Sequence, residues 1–332
     1  MKKIITVISV LLQLWAISTV KAQIDPHFSQ YYAYPLWLNP ALTGVIDGTA
    51  RINANFKDQW VSVPNGYKTG GLSMDFRSGD KVGLGFNVIN QAAGTAGYNY
   101  FAAYGSFGYG IAISPYGTQK LHFGLQAGFI NRSFDPGKAQ FDNQYNPGAG
   151  GFDPTLPSGE NFPTTGATVF DASAGIFYYD GDPLHTANMF AGISAAHLNA
   201  PHDPFATDGI SSKLPIRLTA HAGVKIKASD VFDITPHAVY ISQQGASIKA
   251  VGIYSELKAD PNNGLILGAM YRLGDAAVAD VGYHVKSLVI AVSYDFNTSA
   301  LRQATNGQGG FELSLSYVFK YNTNPSEVCP KF

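Results

Sequence analysis

The chain has 332 residues, of which 14% are charged and 13% aromatic, with 36 Gly and one Cys. A formal net charge of −1 leaves no basic excess for a nucleic-acid partner, and a single Cys excludes an internal disulfide. Ordinary soluble domains carry roughly 25% charged residues, so this composition points away from a plain soluble surface.

Lys2 and Lys3 precede an apolar run from Ile4 to Val20, and Val20-Lys21-Ala22 ends in small residues. This is the pattern of a secretory signal peptide over residues 1–22, the alternative being a retained helical anchor. Residue 23 is Gln, so the lipoprotein Cys is absent. Removing 1–22 takes three of the 22 basic residues and none of the 23 acidic ones, moving the balance to −4. No later run of ~18 apolar residues offers a transmembrane helix. Residues 23–47 form an N-terminal periplasmic segment. Its core, DPHFSQYYAYPLWLNPALTG, is too broken by Pro26, Pro35 and Pro40 for a spanning helix.

From residue 48 the apolar residues alternate. Ala50, Ile52, Ala54 and Phe56 point one way; Arg51, Asn53, Asn55 and Lys57 point the other. The same period returns in Leu72, Met74 and Phe76, in Val82 to Val88, in Leu121 to Phe129 and in Leu218 to Ile226. A soluble sandwich also alternates, but with strands of about 5–6 residues and a more charged surface. These segments run to roughly 10–14 residues, the length of a tilted membrane strand. The expected fold is therefore all-β: a transmembrane antiparallel β-barrel over 48–320. Strands are expected at 48–58, 66–77, 80–91, 97–111, 119–133, 167–180, 186–199, 214–228, 230–243, 246–258, 263–274, 276–286, 287–297 and 309–320. That is about 14 strands, an even count that returns both barrel ends to the periplasm. The longest connection, 135–167, is then extracellular. In the last strand Phe311, Leu313, Leu315, Tyr317 and Phe319 resemble a C-terminal barrel-assembly signal. A polar tail, 321–332, follows into the periplasm, with Cys329 read as a thiol without a role.

No catalytic, cofactor or metal constellation emerges. The nearest approach to a GxSxG elbow, Gly192 to Ala196, lacks the second glycine. His197, His202 and Asp203 meet no zinc-site spacing and read as a solvated loop. The inward Arg51, Lys57, Asp75, Arg77, Arg217 and Lys225 read as the lining of a hydrated lumen of mixed charge. The chain is read as not an enzyme.

Asp25-Pro26-His27-Phe28-Ser29-Gln30-Tyr31-Tyr32, then Leu36-Trp37-Leu38-Asn39-Pro40-Ala41-Leu42-Thr43-Gly44, then Gln59-Trp60, resembles the N-terminal pattern of the PorP/SprF family. Phe190 to Pro201, Lys213-Leu214-Pro215 and the closing ELSLSYVF with its C-P-x-F tail resemble later family blocks. Phe56-Lys57-Asp58 departs from the usual aromatic, Arg and polar residue. The resemblance spans the mature chain. It implies an outer-membrane protein of the Bacteroidota type IX secretion and gliding-motility system. It implies as partners type IX components and a cognate secreted surface protein, with outer-membrane lipid around the barrel.

Two uses of the N-terminal segment stay open: a plug or flank at the periplasmic mouth, or a docking site for a partner. The candidate contacts are Phe28, Tyr31, Tyr32, Trp37, Asn39, Pro40 and Trp60. Two functions are likewise open. One is a non-enzymatic secretion component acting through protein contacts. The other is an outer-membrane channel or hydrophobic-solute transporter.

Overall fold

The structure, a computed structural model, describes residues 25–60, 62, 65–162, 164–202, 213–260, 262–300 and 302–320. The signal peptide, Asp203, the tail and Cys329 lie outside the described residues.

Fourteen strands form one closed barrel. They are β1 (Ala50–Gln59), β2 (Tyr67–Ser78), β3 (Val82–Ala93), β4 (Tyr98–Ala112), β5 (Gln119–Ser133), β6 (Gly166–Asp180) and β7 (Ala187–Ala196). The second half comprises β8 (Arg217–Ser229), β9 (Phe232–Gln243), β10 (Ala246–Asp260), β11 (Asn263–Arg272), β12 (Ala276–Val285), β13 (Leu288–Asn297) and β14 (Gln308–Phe319). Each strand pairs antiparallel with its sequence neighbour. β1 closes on β14 from Ala50↔Phe319 to Gln59↔Gly310, which leaves no exposed edge.

Alternation decides which side chains meet lipid. Phe56, Leu72, Phe86, Leu125 and Phe129 are exposed on the outer face, Leu125 at 62%. Their strand neighbours Asn55, Ser73, Asn87, Gln126 and Gly124 turn inward. On β14, Phe311, Leu313, Leu315, Tyr317 and Phe319 all face outward, while Glu312, Ser314 and Ser316 are buried.

The two ends of the barrel differ. The connection 134–165 carries 3-10 turns and a small ladder of Tyr145–Asn146 against Gly151–Phe152. It shares its end with the connection between Ala196 and Arg217. The opposite end holds both barrel termini and tight turns such as 230–231 and 286–287. By the length rule for such barrels, the tight-turn end is periplasmic.

One expected strand was too long. The seventh was placed at 186–199, but β7 ends at Ala196. His197 has φ +61 and Ala200 φ +42, which takes the chain out of the sheet. Arginine at Leu125, on the lipid face near mid-strand, is expected to lower barrel stability by about 2–4 kcal/mol. Urea unfolding in lipid vesicles measures this, and an unchanged midpoint for Leu125→Arg would show that this face does not meet hydrocarbon.

Candidate functional site in the barrel lumen

The N-terminal segment fills the lumen. Asp25, Phe28, Ser29, Gln30, Tyr34, Leu36, Leu38, Asn39, Ala41, Leu42 and Thr43 are all buried. The local chain is a series of short turns because proline forbids anything longer. A 3-10 turn at Tyr31–Ala33 leads to one α-turn at Pro35–Leu38 and a second 3-10 turn at Pro40–Leu42. Pro35 and Pro40 each open a turn, where their missing N–H costs nothing. The Asn39 side chain caps the last turn by accepting from the Ala41 N–H at 2.9 Å. Gly44, at φ +77, then lets the chain swing towards β1.

The path runs the length of the barrel. Thr43 and Gly44 lie near the periplasmic end, with the Gly44 N–H donating to Asp75 Oδ2 at 2.8 Å. The same carboxylate takes Arg51 in a two-pronged ion pair at 3.0 Å for each contact. Asn39 lies midway. Its amide donates to the Ile176 and Ile193 carbonyls at 3.1 and 3.3 Å and faces His221 Nε2 at 3.2 Å. Ile176 and Ile193 are register partners, so one side chain binds β6 to β7. Pro40 and Ala41 press on β5 at Gly124, where any Cβ would overlap their backbone. The tyrosines reach other walls. The Tyr34 hydroxyl donates to the Val88 carbonyl at 2.6 Å, and that of Tyr32 to Asp280 at 2.9 Å. The Tyr31 hydroxyl meets His237 Nδ1 at 2.6 Å.

Two charged anchors hold the upper half. In the first, the Ser29 and Gln30 backbone N–H groups donate to the Glu312 carboxylate at 2.7 and 2.9 Å. The Ser29 hydroxyl accepts from Lys57 at 2.7 Å and Arg272 at 2.9 Å, and donates to Asp295 at 2.8 Å. Lys57 also lies 3.4 Å from Asp295, and it is the register partner of Glu312 across the β1–β14 closure. In the second, Asp25 Oδ2 lies 2.6 Å from His197 Nε2 and 3.2 Å from Arg217 Nη1. His197 Nδ1 reaches Asp171 Oδ1 at 2.9 Å, and the Tyr104 hydroxyl donates to the other Asp171 oxygen at 2.9 Å. The Asp25 N–H donates to Gln243 at 2.9 Å. Trp37 covers this group, its ring centre 4.6 Å from the Arg217 guanidinium.

An imidazole between two carboxylates donates from both nitrogens only when it is protonated. Burial opposes the His197 charge, but Asp25 and Asp171 outweigh it and raise its pKa from 6.5 to about 9. Burial alone would raise the Asp25 carboxyl. His197, Arg217 and Arg132 instead hold it well below the usual carboxylate range.

These placements correct three expectations. The segment does not stop at the periplasmic mouth: Asp25 reaches the first residue of β8 and the last of β9, at the loop end. The lumen is not simply hydrated, because Arg51, Lys57 and Arg217 are buried against this segment and paired. Arg77 donates to the Ile46 carbonyl at 3.3 Å, and Lys225 pairs with Asp233 at 3.1 Å. His197 is not on a solvated loop; it is 1% exposed, whereas His202 is exposed beside Lys213 in an isolated bridge.

Of the candidate contacts, Phe28, Tyr31, Tyr32, Trp37, Asn39 and Pro40 all lie in the lumen. Trp60 does not: it follows β1 at the loop end, edge-on to Tyr67 at 5.3 Å. Sequence reasoning left out Asp171, Asp295, Glu312 and Arg272. Their inward strand positions were the available signal, but their partners lie across the closed barrel.

A closed barrel with an apolar outer belt and an internal plug defines an outer-membrane protein. The family model described as type IX secretion system membrane protein PorP/SprF matches residues 20–317, and the chain belongs to that family. No curated protein matches the chain. Among solved structures it is similar to the toluene transporter TbuX of Ralstonia pickettii, at 12% identity and TM-score 0.52, over 86% of this chain and 93% of that one. It is also similar to the monoaromatic hydrocarbon channel CymD, at 12% identity and TM-score 0.53, over 90% and 96%. At this identity the likeness is one of fold.

Asp25→Asn removes the counter-charge of the buried Arg217 and one of the two carboxylates on His197, and is expected to cost about 3–5 kcal/mol. The His197 pKa is raised on folding, so its stabilisation is complete below about pH 6.5 and is lost as pH rises through about 9. Wild-type unfolding midpoints should fall across pH 7–10, and those of His197→Gln should fall less. Parallel curves would show that this group does not hold the segment.

Proposed function

We propose that this protein is a non-enzymatic outer-membrane component of type IX secretion. It supports secretion or surface attachment of a cognate, adhesin-like surface protein through protein contacts. The observation that carries this reading is the use made of the family's own N-terminal motif. Its aromatic, Asn, Pro and Asp residues are buried in the lumen and bonded to strands on all sides. Such a segment stiffens the barrel as a scaffold. Contacts with a client and with periplasmic type IX components then fall to the loops, the turns and the tail.

The alternative, a hydrophobic-solute channel, draws on the fold shared with TbuX and CymD. A deletion strain separates the two. Loss of one or a few surface proteins, with general export intact, is expected. An unchanged surface proteome, together with a large steady conductance of the intact barrel in planar bilayers, would replace secretion with transport.

The outward row Phe311, Leu313, Leu315, Tyr317 and Phe319 is proposed as the segment read by the assembly machinery. Phe319→Ser should lower the yield of heat-modifiable barrel in the outer membrane several-fold while refolding in detergent proceeds as before. Equal yields in cells would remove that role.

A further inference from the structure

The outer wall carries a polar recess at the loop end. Asp58, Lys68, Ala92 and Asn99 are consecutive register partners across β1, β2, β3 and β4, so their side chains form one transverse row on the outer face. The row below it contains Phe56 and Phe101, both exposed. Below that come Leu72 and Phe129. Across β1 to β4 the outer wall thus gains polar side chains towards the loop end, where hydrocarbon gives way to headgroups.

At that level the surface is concave. Asp58, Asn65, Gly66, Lys68, Gly94, Gly97, Tyr98 and Asn99 line a recess of about 460 Å³. Gly94 leaves open space where a side chain would stand. Asp58 and Lys68 are cross-strand neighbours, yet neither joins an ion pair or side-chain hydrogen bond among the described residues. Asn99 Oδ1 accepts from Asn90 at 2.6 Å, which leaves its own amide hydrogens for another acceptor. The ammonium of Lys68, the carboxylate of Asp58 and the Asn99 amide, unpaired among the described residues and set beside the open Gly94, match a group that combines a phosphate with vicinal hydroxyls.

We propose that this recess binds the phosphorylated sugar headgroup of an outer-leaflet glycolipid. Lys68 contacts the phosphate, Asp58 and Asn99 take sugar hydroxyls, and the acyl chains run down past Phe56 and Phe101. The proposal depends on the outer-membrane placement of the barrel and not on what it secretes.

The test uses the full-length mature barrel in nanodiscs of phosphatidylethanolamine with increasing lipid A, read by native mass spectrometry. Wild type should retain one lipid A per barrel. Lys68→Gln should need about five-fold more lipid A for equal occupancy, and Asp58→Asn should weaken binding as well. Lys249→Gln, an outward cation on β10 away from the recess, should bind as wild type. Lipid A stripped of its phosphates should bind wild type no better than intact lipid A binds Lys68→Gln. Heat-modifiable migration confirms that each variant is folded. Equal occupancy for wild type and Lys68→Gln, or retention that ignores the phosphates, would overturn the proposal. Competition by free glucosamine 1-phosphate supports headgroup recognition; binding driven by the acyl chains alone, with no such competition, overturns it.

Discussion

The inward face of this barrel is polar and charged, and burial obliges each such group to find a partner within the chain. The N-terminal segment meets that demand for the charged groups it touches. Its backbone N–H groups at Ser29, Gln30 and Gly44 supply donors to Glu312 and Asp75. Its Asp25 supplies the anion for His197 and Arg217. Segment and wall are therefore mutually dependent: without the segment, several buried charges lose their partners together. Residues 25–44, an irregular stretch of chain, can occupy the lumen because proline sets the turns, while Asn39 and the tyrosines carry their own hydrogen-bonding groups.

The barrel was legible in the sequence because one face must be apolar at every second residue for the length of a membrane crossing. Leu121 to Phe129 and Arg51 to Lys57 carry that signal without any knowledge of their partners. The boundaries failed where tertiary contacts override the local pattern. His197 continues the alternation of β7 on paper, yet its φ of +61 turns it towards Asp25, 172 residues away in sequence. Lys57 and Glu312 were each readable as inward and charged. Their apposition follows only from closure of β1 on β14. The motif in residues 25–44 was conspicuous, but its aromatic residues suit a plug and a docking surface equally well until the surrounding wall is known.

The two charged anchors divide the work. The Ser29 group joins β1, β11, β13 and β14, so it ties the first strand to the last three-dimensional neighbours that complete the cylinder. The Asp25 group joins β6, β8, β9 and the chain just after β7. Asn39 reinforces β6 and β7 between them. Opposite walls are thereby braced through a single strand of chain, which gives the loop end a fixed frame.

That frame has a consequence for interchangeability. The connection after β7 is gripped at its base: His197 by two carboxylates, and Pro201 by the Leu214 N–H at 2.8 Å. His202 and Lys213 close the base as an isolated bridge. Whatever sequence joins those two residues starts and finishes at fixed points, as on a socket. An insert joining those two points can therefore be exchanged as a unit, and a chimera cut at His202 and Lys213 keeps the same grip at its base.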